Sequence, residues 1–223
     1  MERTKVLQLL LNMLKEDFAW LQAPANLLSY ISVRSAMAAL TALLLGIFLG
    51  PWMIRLLTRL KIGQQIRGEG IPDLYEKHKT KAGTPTMGGV LILACVVVSV
   101  LLWGNTGNRL VWITLGSTVW LGMIGFLDDY LKLRRKQYKG LSKKAKLFGQ
   151  FLPGLFIGLY LYLWPLTPDN AAAIGVPFFK NFTLYLGVLY IPFIAVVIVG
   201  TSNAVNLTDG LDGLAIGCVI AAA

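Results

Sequence analysis

The chain has 223 residues, of which 56% are hydrophobic and 14% are charged, and its formal net charge is +10 at pH 7. So apolar a composition lies outside the usual range of soluble domains and indicates a membrane protein. Nucleic acid is not an expected partner, because no segment between the apolar runs is long enough to fold as a basic nucleic-acid-binding module.

Residues 1–29 form an N-terminal segment that is separate from the apolar runs. Leu7, Leu10, Leu11 and Leu14 recur at helical spacing, which predicts an amphipathic helix lying in the membrane interface. A frayed terminus without a specific role fits the same residues equally well.

Six uncharged runs follow, and charged residues mark their ends. A bilayer core of about 30 Å needs roughly 20 helical residues, so five runs predict complete spanning helices and the sixth predicts the start of another. The predicted fold class is an all-α polytopic helix bundle, and we expect the chain to be the N-terminal part of a longer protein. The runs are 35–54, 82–108, 110–127, 147–168, 181–208 and 213–223.

The distribution of basic residues predicts the topology. Fifteen of the 21 Lys and Arg residues fall within residues 55–81 and 132–146, and the positive-inside rule assigns both loops to the cytoplasm. The N-terminus is then outside and the fifth helix runs inward. Residues 203–214, at the end of that helix, are therefore expected to face the cytoplasm.

The first polar stretch is KHKTKAGTPTMGGV, at residues 77–90, before the second run. Thr84 and Pro85 are typical of a helix N-cap and first turn, and the glycines at 88–89 permit close backbone approach. A capped helix with a packing face explains this pattern, and the local pattern favours it. The alternative is a phosphate site formed by the helix N-terminus and either Lys79 or Lys81.

The second polar stretch contains adjacent carboxylates, Asp128 and Asp129, after an uncharged run. Two acids at a helix C-terminus oppose the helix dipole, so structure alone does not favour them there. Ion pairing with Lys132, one turn further on, is one explanation. We favour a functional pair that holds Mg²⁺ or takes a proton at the membrane boundary.

The third polar stretch is NAVNLTDGLDGL, at residues 203–214. Asp209 and Asp212 are three residues apart and share a helix face with Asn206. Helix capping explains one aspartate, but it does not explain two asparagines and two glycines as well. Gly210 and Gly213 allow backbone amides to meet a ligand, while the carboxylates accept hydrogen bonds or bind a cation.

These motifs resemble a known family. TPTMGG at residues 84–89, GFLDDYLK at 125–132 and NAVNLTDGLDGLA at 203–215 are similar to those of phospho-N-acetylmuramoyl-pentapeptide-transferases, in the same order. The resemblance begins near Tyr30 and covers nearly all of the remaining chain. It implies that residues 30–223 are a transmembrane transferase domain that is truncated at its C-terminus.

The resemblance implies a reaction and its partners. Such enzymes transfer phospho-N-acetylmuramoyl-pentapeptide from its UDP carrier to undecaprenyl phosphate, giving UMP and lipid I for peptidoglycan. The implied cofactor is Mg²⁺, and the implied location is the bacterial inner membrane. A homodimer is the family expectation. Mg²⁺ and positive groups would offset the negative charge that gathers on the reacting phosphates.

The resemblance also assigns residues to the site. Asp128 and Asp129 would belong to the catalytic centre, with the role of each open, and both are candidate metal ligands. The implied substrate-binding residues are Lys81, Asn206, Asp209, Gly210, Leu211 and Asp212.

The chain departs from the family pattern in one respect. The family has a further metal-associated aspartate and a histidine-rich motif in later cytoplasmic loops, and neither is present here. The single histidine, His78, lies in a basic loop and does not replace them. The fragment alone is therefore expected to be inactive.

Two other functions share features of this sequence. A polyprenyl-phosphate N-acetylglucosamine-1-phosphate transferase would share the paired aspartates and the NxxNxxDGxDGL pattern, but TPTMGG and the basic run after Asp129 favour the muramoyl enzyme. A cation-coupled transporter would use acids within the membrane. It would place them near the bilayer midplane, whereas these lie near the predicted helix ends.

Overall fold

A computed structural model of the chain describes residues 26–59, 87–135, 140–166, 172–176, 178–179, 182–208 and 214–222. These residues fall into two compact units that divide between Leu141 and Ser142. The first unit contains α1 (Ile31–Arg59), α2 (Gly89–Trp103) and α3 (Arg109–Arg135), and the second contains α4 (Lys143–Leu163), β1 (Ala173–Gly175), β2 (Thr183–Tyr185), a 3₁₀ turn (Gly187–Leu189), α5 (Tyr190–Thr208) and α6 (Leu214–Ala222).

The prediction of a helical membrane protein is confirmed. Within the described ranges, four helical stretches are long and apolar enough to cross a membrane: α1, α3, α4 and the stretch Gly187–Thr208. Helix α2 is apolar but has 15 residues, or about 22 Å at 1.5 Å per residue. The count of five complete spans and the start of a sixth therefore stays a prediction.

In the first unit, α2 contacts both α1 and α3. The indole Nε1 of Trp103 donates a 2.9 Å hydrogen bond to the Thr41 hydroxyl on α1. On α3, a Cβ added at Gly122 would lie 2.7 Å from a methyl carbon of Leu93. The small glycine thus allows α3 to approach the Leu93 side chain of α2 closely.

A short β-hairpin interrupts the last long uncharged run, residues 181–208, which predicts a continuous helix. Ala173, Ile174 and Gly175 pair antiparallel with Tyr185, Leu184 and Thr183, and Gly187 then adopts a φ of +53° before α5 begins. Residues 183–185 carry no charge, and the absence of charge does not distinguish a strand from a helix. The helix therefore starts later than the uncharged run.

In the second unit, α4 and α5 pack closely along a line of small residues. A Cβ added at Gly154 would lie 2.6 Å from the Cα of Ala195, and one at Gly158 would lie 2.7 Å from the carbonyl oxygen of Ile191. Ala195 is fully buried. The positions rise on α4 as they fall on α5, so the two helices are antiparallel. Small residues four apart allow two backbones to approach closely.

We expect Gly154→Ala to destabilise the protein, because the new methyl group has to displace the backbone of α5. Overpacking of this kind costs about 1–3 kcal/mol. The measurement is the thermal unfolding midpoint of the full-length protein in detergent, at one fixed scan rate.

Gly46→Ala is the matched control, since among the described residues no atom outside the backbone of α1 itself lies within 4 Å of the Cβ position at Gly46. Its midpoint should equal or exceed that of the wild type, because alanine favours helix more than glycine does. Equal midpoints for the two variants would contradict close packing of α4 against α5.

Candidate functional site

Asp128 and Asp129 lie within α3 rather than at its end. The helix continues to Arg135, and its last turn contains Lys132, Arg134 and Arg135. The expectation that the acids close the helix is therefore wrong. Because the basic residues occupy the last turn, they compensate the helix dipole, and the objection to two acids at a C-terminus no longer applies.

Lys132 forms ion pairs with both carboxylates. Its Nζ lies 2.7 Å from Oδ2 of Asp128 and 3.1 Å from Oδ1 of Asp129. The i+3 and i+4 spacing along the helix brings the three side chains together. The ion-pairing alternative from the sequence is thus confirmed as a contact. It does not exclude a functional role, because 39% of the lysine side chain is exposed and exposed pairs contribute little stability.

Asp128 has a second partner on the segment that follows α3. The backbone N–H of Leu141 donates a 2.7 Å hydrogen bond to Oδ1 of Asp128. The chain passes so close that a Cβ at Gly140 would collide with the carboxylate and lie 2.7 Å from the carbonyl oxygen of Asp128. Only glycine fits this approach. Both carboxylate oxygens of Asp128 therefore have partners, and the side chain packs against Gly140 and Leu141 on the segment after α3.

The two acids consequently differ in exposure and freedom. The Asp128 side chain is 16% exposed, whereas that of Asp129 is 39% exposed. Asp128 is oriented from two sides, by Lys132 on its own helix and by the Leu141 amide. Asp129 keeps more of its surface open to solvent. The pair thus offers one fixed carboxylate and one accessible carboxylate side by side.

The donor set fits a hydrated magnesium ion. Carboxylate oxygens are hard ligands, and Mg²⁺ is commonly held by one or two carboxylates together with waters and phosphates. Across the described ranges, no group of three or more His, Cys, Asp or Glu side chains could hold a metal ion. The remaining ligands would therefore come from water, from phosphate or from elsewhere in the whole protein.

The described part of the TPTMGG stretch begins at Met87. Met87 is buried and has a φ of +75°, and α2 starts two residues later at Gly89. The N-cap position is Gly88, whereas the sequence predicts an N-cap at Thr84. Lys81, Thr84 and Pro85 lie outside the described residues. Among the described residues, no atom lies within 4 Å of a Cβ added at either glycine.

The NAVNLTDGLDGL stretch starts inside α5 and ends in α6. Asn203 and Asn206 lie in the last two turns of α5, which ends at Thr208, and α6 begins at Leu214. Asn206 is exposed. Four of the candidate residues, Asp209, Gly210, Leu211 and Asp212, lie outside the described residues.

Asn203 contacts a residue that none of the three polar stretches contains. Its Nδ2 donates a 2.8 Å hydrogen bond to Oε1 of Gln150 on α4, and Gln150 is 3% exposed. A signal for Gln150 was present in the sequence, because an amide within an otherwise apolar run is costly unless it has a partner. The contact of Leu141 with Asp128 had no comparable signal, since any non-proline residue carries a backbone N–H.

The fold and these residues define a multi-pass membrane protein with a carboxylate pair near the end of a spanning helix. The pattern of glycosyl transferase family 4 matches residues 111–223, which is half of the chain, so the chain belongs to glycosyl transferase family 4. Residues 81–93 match signature 1 of phospho-N-acetylmuramoyl-pentapeptide-transferase. The resemblance drawn from the motifs is thereby confirmed.

Curated relatives carry the same name. Proteins called phospho-N-acetylmuramoyl-pentapeptide-transferase from Maridesulfovibrio salexigens and Solidesulfovibrio magneticus are each 51% identical to this chain, over 89% and 87% of it. One from a Geobacter species is 49% identical over 87%. These alignments cover 53%, 52% and 52% of the relatives. The chain therefore spans about half the length of the curated relatives it matches.

We expect Asp128→Ala to expose the Leu141 amide to hydrogen exchange, because the substitution removes its acceptor. A hydrogen bond to a charged group contributes about 1.5–3 kcal/mol, so exchange of the peptide containing Leu141 should accelerate at least about tenfold. The measurement is hydrogen–deuterium exchange with mass spectrometry on the full-length protein.

Asp129→Ala is the matched control, since Asp129 shares Lys132 but does not bind Leu141. Its exchange at that peptide should remain within about twofold of the wild type. Equal acceleration in both variants would mean that the charge of the pair, and not the Asp128 hydrogen bond, protects the amide.

Proposed function

We propose that the whole protein transfers phospho-N-acetylmuramoyl-pentapeptide from its UDP carrier to undecaprenyl phosphate, forming lipid I and releasing UMP. The observation that carries this proposal is the Asp128–Asp129 pair, bound by Lys132, in a chain of glycosyl transferase family 4. The names of relatives about half identical to this chain support a muramoyl-pentapeptide donor as the substrate. The reaction makes the protein a phosphotransferase.

The reaction joins two anions at a phosphorus atom. An oxygen of the prenyl phosphate forms a bond to the phosphorus that carries the muramoyl group, and the bond from that phosphorus to the bridging oxygen of UMP breaks. UMP leaves with that oxygen, so no oxidant or reductant is required. The negative charge of three phosphate groups converges at the centre, and cations have to stabilise the transition state.

The two carboxylates are suited to different tasks in this centre. Asp128 is held by Leu141 and Lys132, so it presents a fixed acceptor for a proton or for a metal-bound group. The more exposed Asp129 remains accessible to solvent and to phosphates. Together they would hold Mg²⁺, which, when bound, offsets charge on the phosphates. Lys132 is a cation next to the same carboxylates.

The donor substrate would be bound by the other polar stretches. Asn206 is exposed at the end of α5, where a side-chain amide can contact a nucleotide. By their place in the family motif, we assign the same role to the residues around it in sequence and to one basic-loop lysine: Lys81, Asp209, Gly210, Leu211 and Asp212.

The proposed placement in the membrane follows the charge pattern. The protein spans the bacterial inner membrane five times and begins a sixth span at α6, with its N-terminus outside and the motif loops in the cytoplasm. The uncharged run at residues 82–108, which contains α2, is long enough in sequence to cross the bilayer core. This orientation supplies the motif loops with the soluble UDP substrate. A homodimer is proposed from the family resemblance alone.

We expect the full-length protein to release UMP from UDP-N-acetylmuramoyl-pentapeptide in the presence of undecaprenyl phosphate and Mg²⁺. Asp128→Asn should lower kcat at least about hundredfold, because it removes a charge from the reacting centre. The measurement is UMP release in detergent. The matched control is Asp169→Asn, which should retain activity because Asp169 lies between the fourth and fifth predicted spans, in a loop predicted to lie on the outer side of the membrane.

The donor distinguishes this function from the alternatives. Release only with UDP-N-acetylglucosamine would assign the protein to the N-acetylglucosamine-1-phosphate transferases. Release with neither donor would contradict a transferase and support a transporter, whose test is cation-dependent uptake into proteoliposomes.

We further expect EDTA to abolish UMP release and added Mg²⁺ to restore it, because carboxylates alone cannot offset the phosphate charge. Asp129→Asn should raise the Mg²⁺ concentration for half-maximal activity about tenfold, since it removes one oxygen anion from the ion's surroundings. Asp169→Asn should leave that concentration unchanged. Full activity in excess EDTA would rule out a required divalent cation.

A further inference from the structure

Gln150 and Ser99 are the two buried polar side chains within the described ranges, each 3% exposed. They satisfy their hydrogen-bonding groups differently. The Ser99 hydroxyl donates to the carbonyl oxygen of Cys95, one turn back in its own helix. Gln150 instead uses both ends of its amide to bind a different helix, α5.

The contacts of Gln150 involve two consecutive residues of α5. Its Nε2 donates a 3.1 Å hydrogen bond to the Ser202 hydroxyl, and its Oε1 accepts a 2.8 Å hydrogen bond from Nδ2 of Asn203. Asn203 Nδ2 also donates to the carbonyl oxygen of Val199 at 2.8 Å. Because Asn203 is bonded to its own backbone as well, its side chain has little freedom to move away from Gln150.

The Gln150 amide fixes the axial position and the rotation of α5 against α4, which the close contacts at Gly154 and Gly158 leave variable. The two glycines set the distance between α4 and α5, but apolar contacts are non-directional and allow sliding or rotation. Two directional hydrogen bonds to neighbouring residues define one axial position and one rotation of α5 against α4. Gln150 therefore sets the register of the helix pair.

The register matters because Asn203 precedes the candidate substrate-binding residues on the same helix. Asn206 is three residues further along, on the same side of α5, and is exposed. Asp209 and Asp212 come next at the same spacing in the sequence. Gln150 itself is too deeply buried to contact a soluble nucleotide.

We propose that Gln150 is a positioning residue for the nucleoside-diphosphate substrate: through Asn203 it holds the end of α5 so that Asn206 meets the UDP group. This inference rests on the proposed transferase function. It assigns Gln150 a role in binding the soluble donor and none in binding the prenyl phosphate.

The test is steady-state kinetics of the full-length enzyme carrying Gln150→Met, which preserves side-chain length and removes both hydrogen bonds. We expect KM for UDP-N-acetylmuramoyl-pentapeptide to rise about three- to tenfold, the range that loss of an interhelical hydrogen bond in a membrane protein predicts. The kcat and the KM for undecaprenyl phosphate should change less than about twofold. Partial unfolding would instead lower the active fraction and leave both KM values unchanged.

Two further variants separate positioning from general stability. Gly158→Ala disturbs the same helix pair two turns away from Gln150, and it should lower the thermal midpoint while KM for the donor stays at the wild-type value. The swapped pair Gln150→Asn with Asn203→Gln restores the combined side-chain length. Its KM should lie below that of Gln150→Asn alone.

Three results would overturn the inference: an unchanged donor KM in Gln150→Met, an equal rise in Gly158→Ala, or a swapped pair no better than Gln150→Asn. Each presupposes a wild-type enzyme that turns over the muramoyl donor. A wild type without UMP release would instead refute the proposed function itself, so the two failures are distinguishable.

Discussion

The hydrocarbon core of a bilayer offers no hydrogen-bond partners, so every polar group on a spanning helix has to find one within the protein. Short hydroxyl side chains do so locally: Ser99 and Thr201 each donate to a carbonyl oxygen one turn back. Larger polar side chains reach the neighbouring helix, as Trp103 reaches Thr41 and Gln150 reaches α5. The few polar residues of these apolar helices therefore determine which helix faces contact each other.

The same constraint explains why Asp128 and Asp129 differ although they are adjacent. Consecutive residues of a helix point about 100° apart, so one carboxylate faces the returning chain and the other faces outward. The less exposed acid receives a backbone N–H and a lysine, because a partly buried charge needs compensating partners. The outward acid shares the same lysine but keeps more of its side chain exposed to solvent. Local geometry thus gives two identical side chains different chemistry.

The sequence predicts the helical class and the polar stretches, because apolar runs and charge boundaries follow directly from bilayer thickness. It does not predict the hairpin at Thr183–Tyr185, since an uncharged run is compatible with either a strand or a helix. It also misplaces the end of α3, because charge marks where hydrocarbon ends and not where helical hydrogen bonding ends. Contacts such as Gly140 with Asp128 depend on the path of the chain between them, which no local pattern encodes.

A reaction between a soluble donor and a lipid acceptor requires reactive groups at the membrane boundary, yet an exposed helix end is prone to fraying. The contacts between α4 and α5 hold the end of α5 in place. Gly154, one turn from Gln150, brings the two backbones together at Ala195, and beside this contact Gln150 reaches Asn203. A much larger residue at Gly154, one turn from Gln150, would push the helices apart and break the amide contacts. The position of Asn206 therefore depends on the packing of Gly154 against Ala195, 11 residues earlier in sequence, or about 16 Å along the helix.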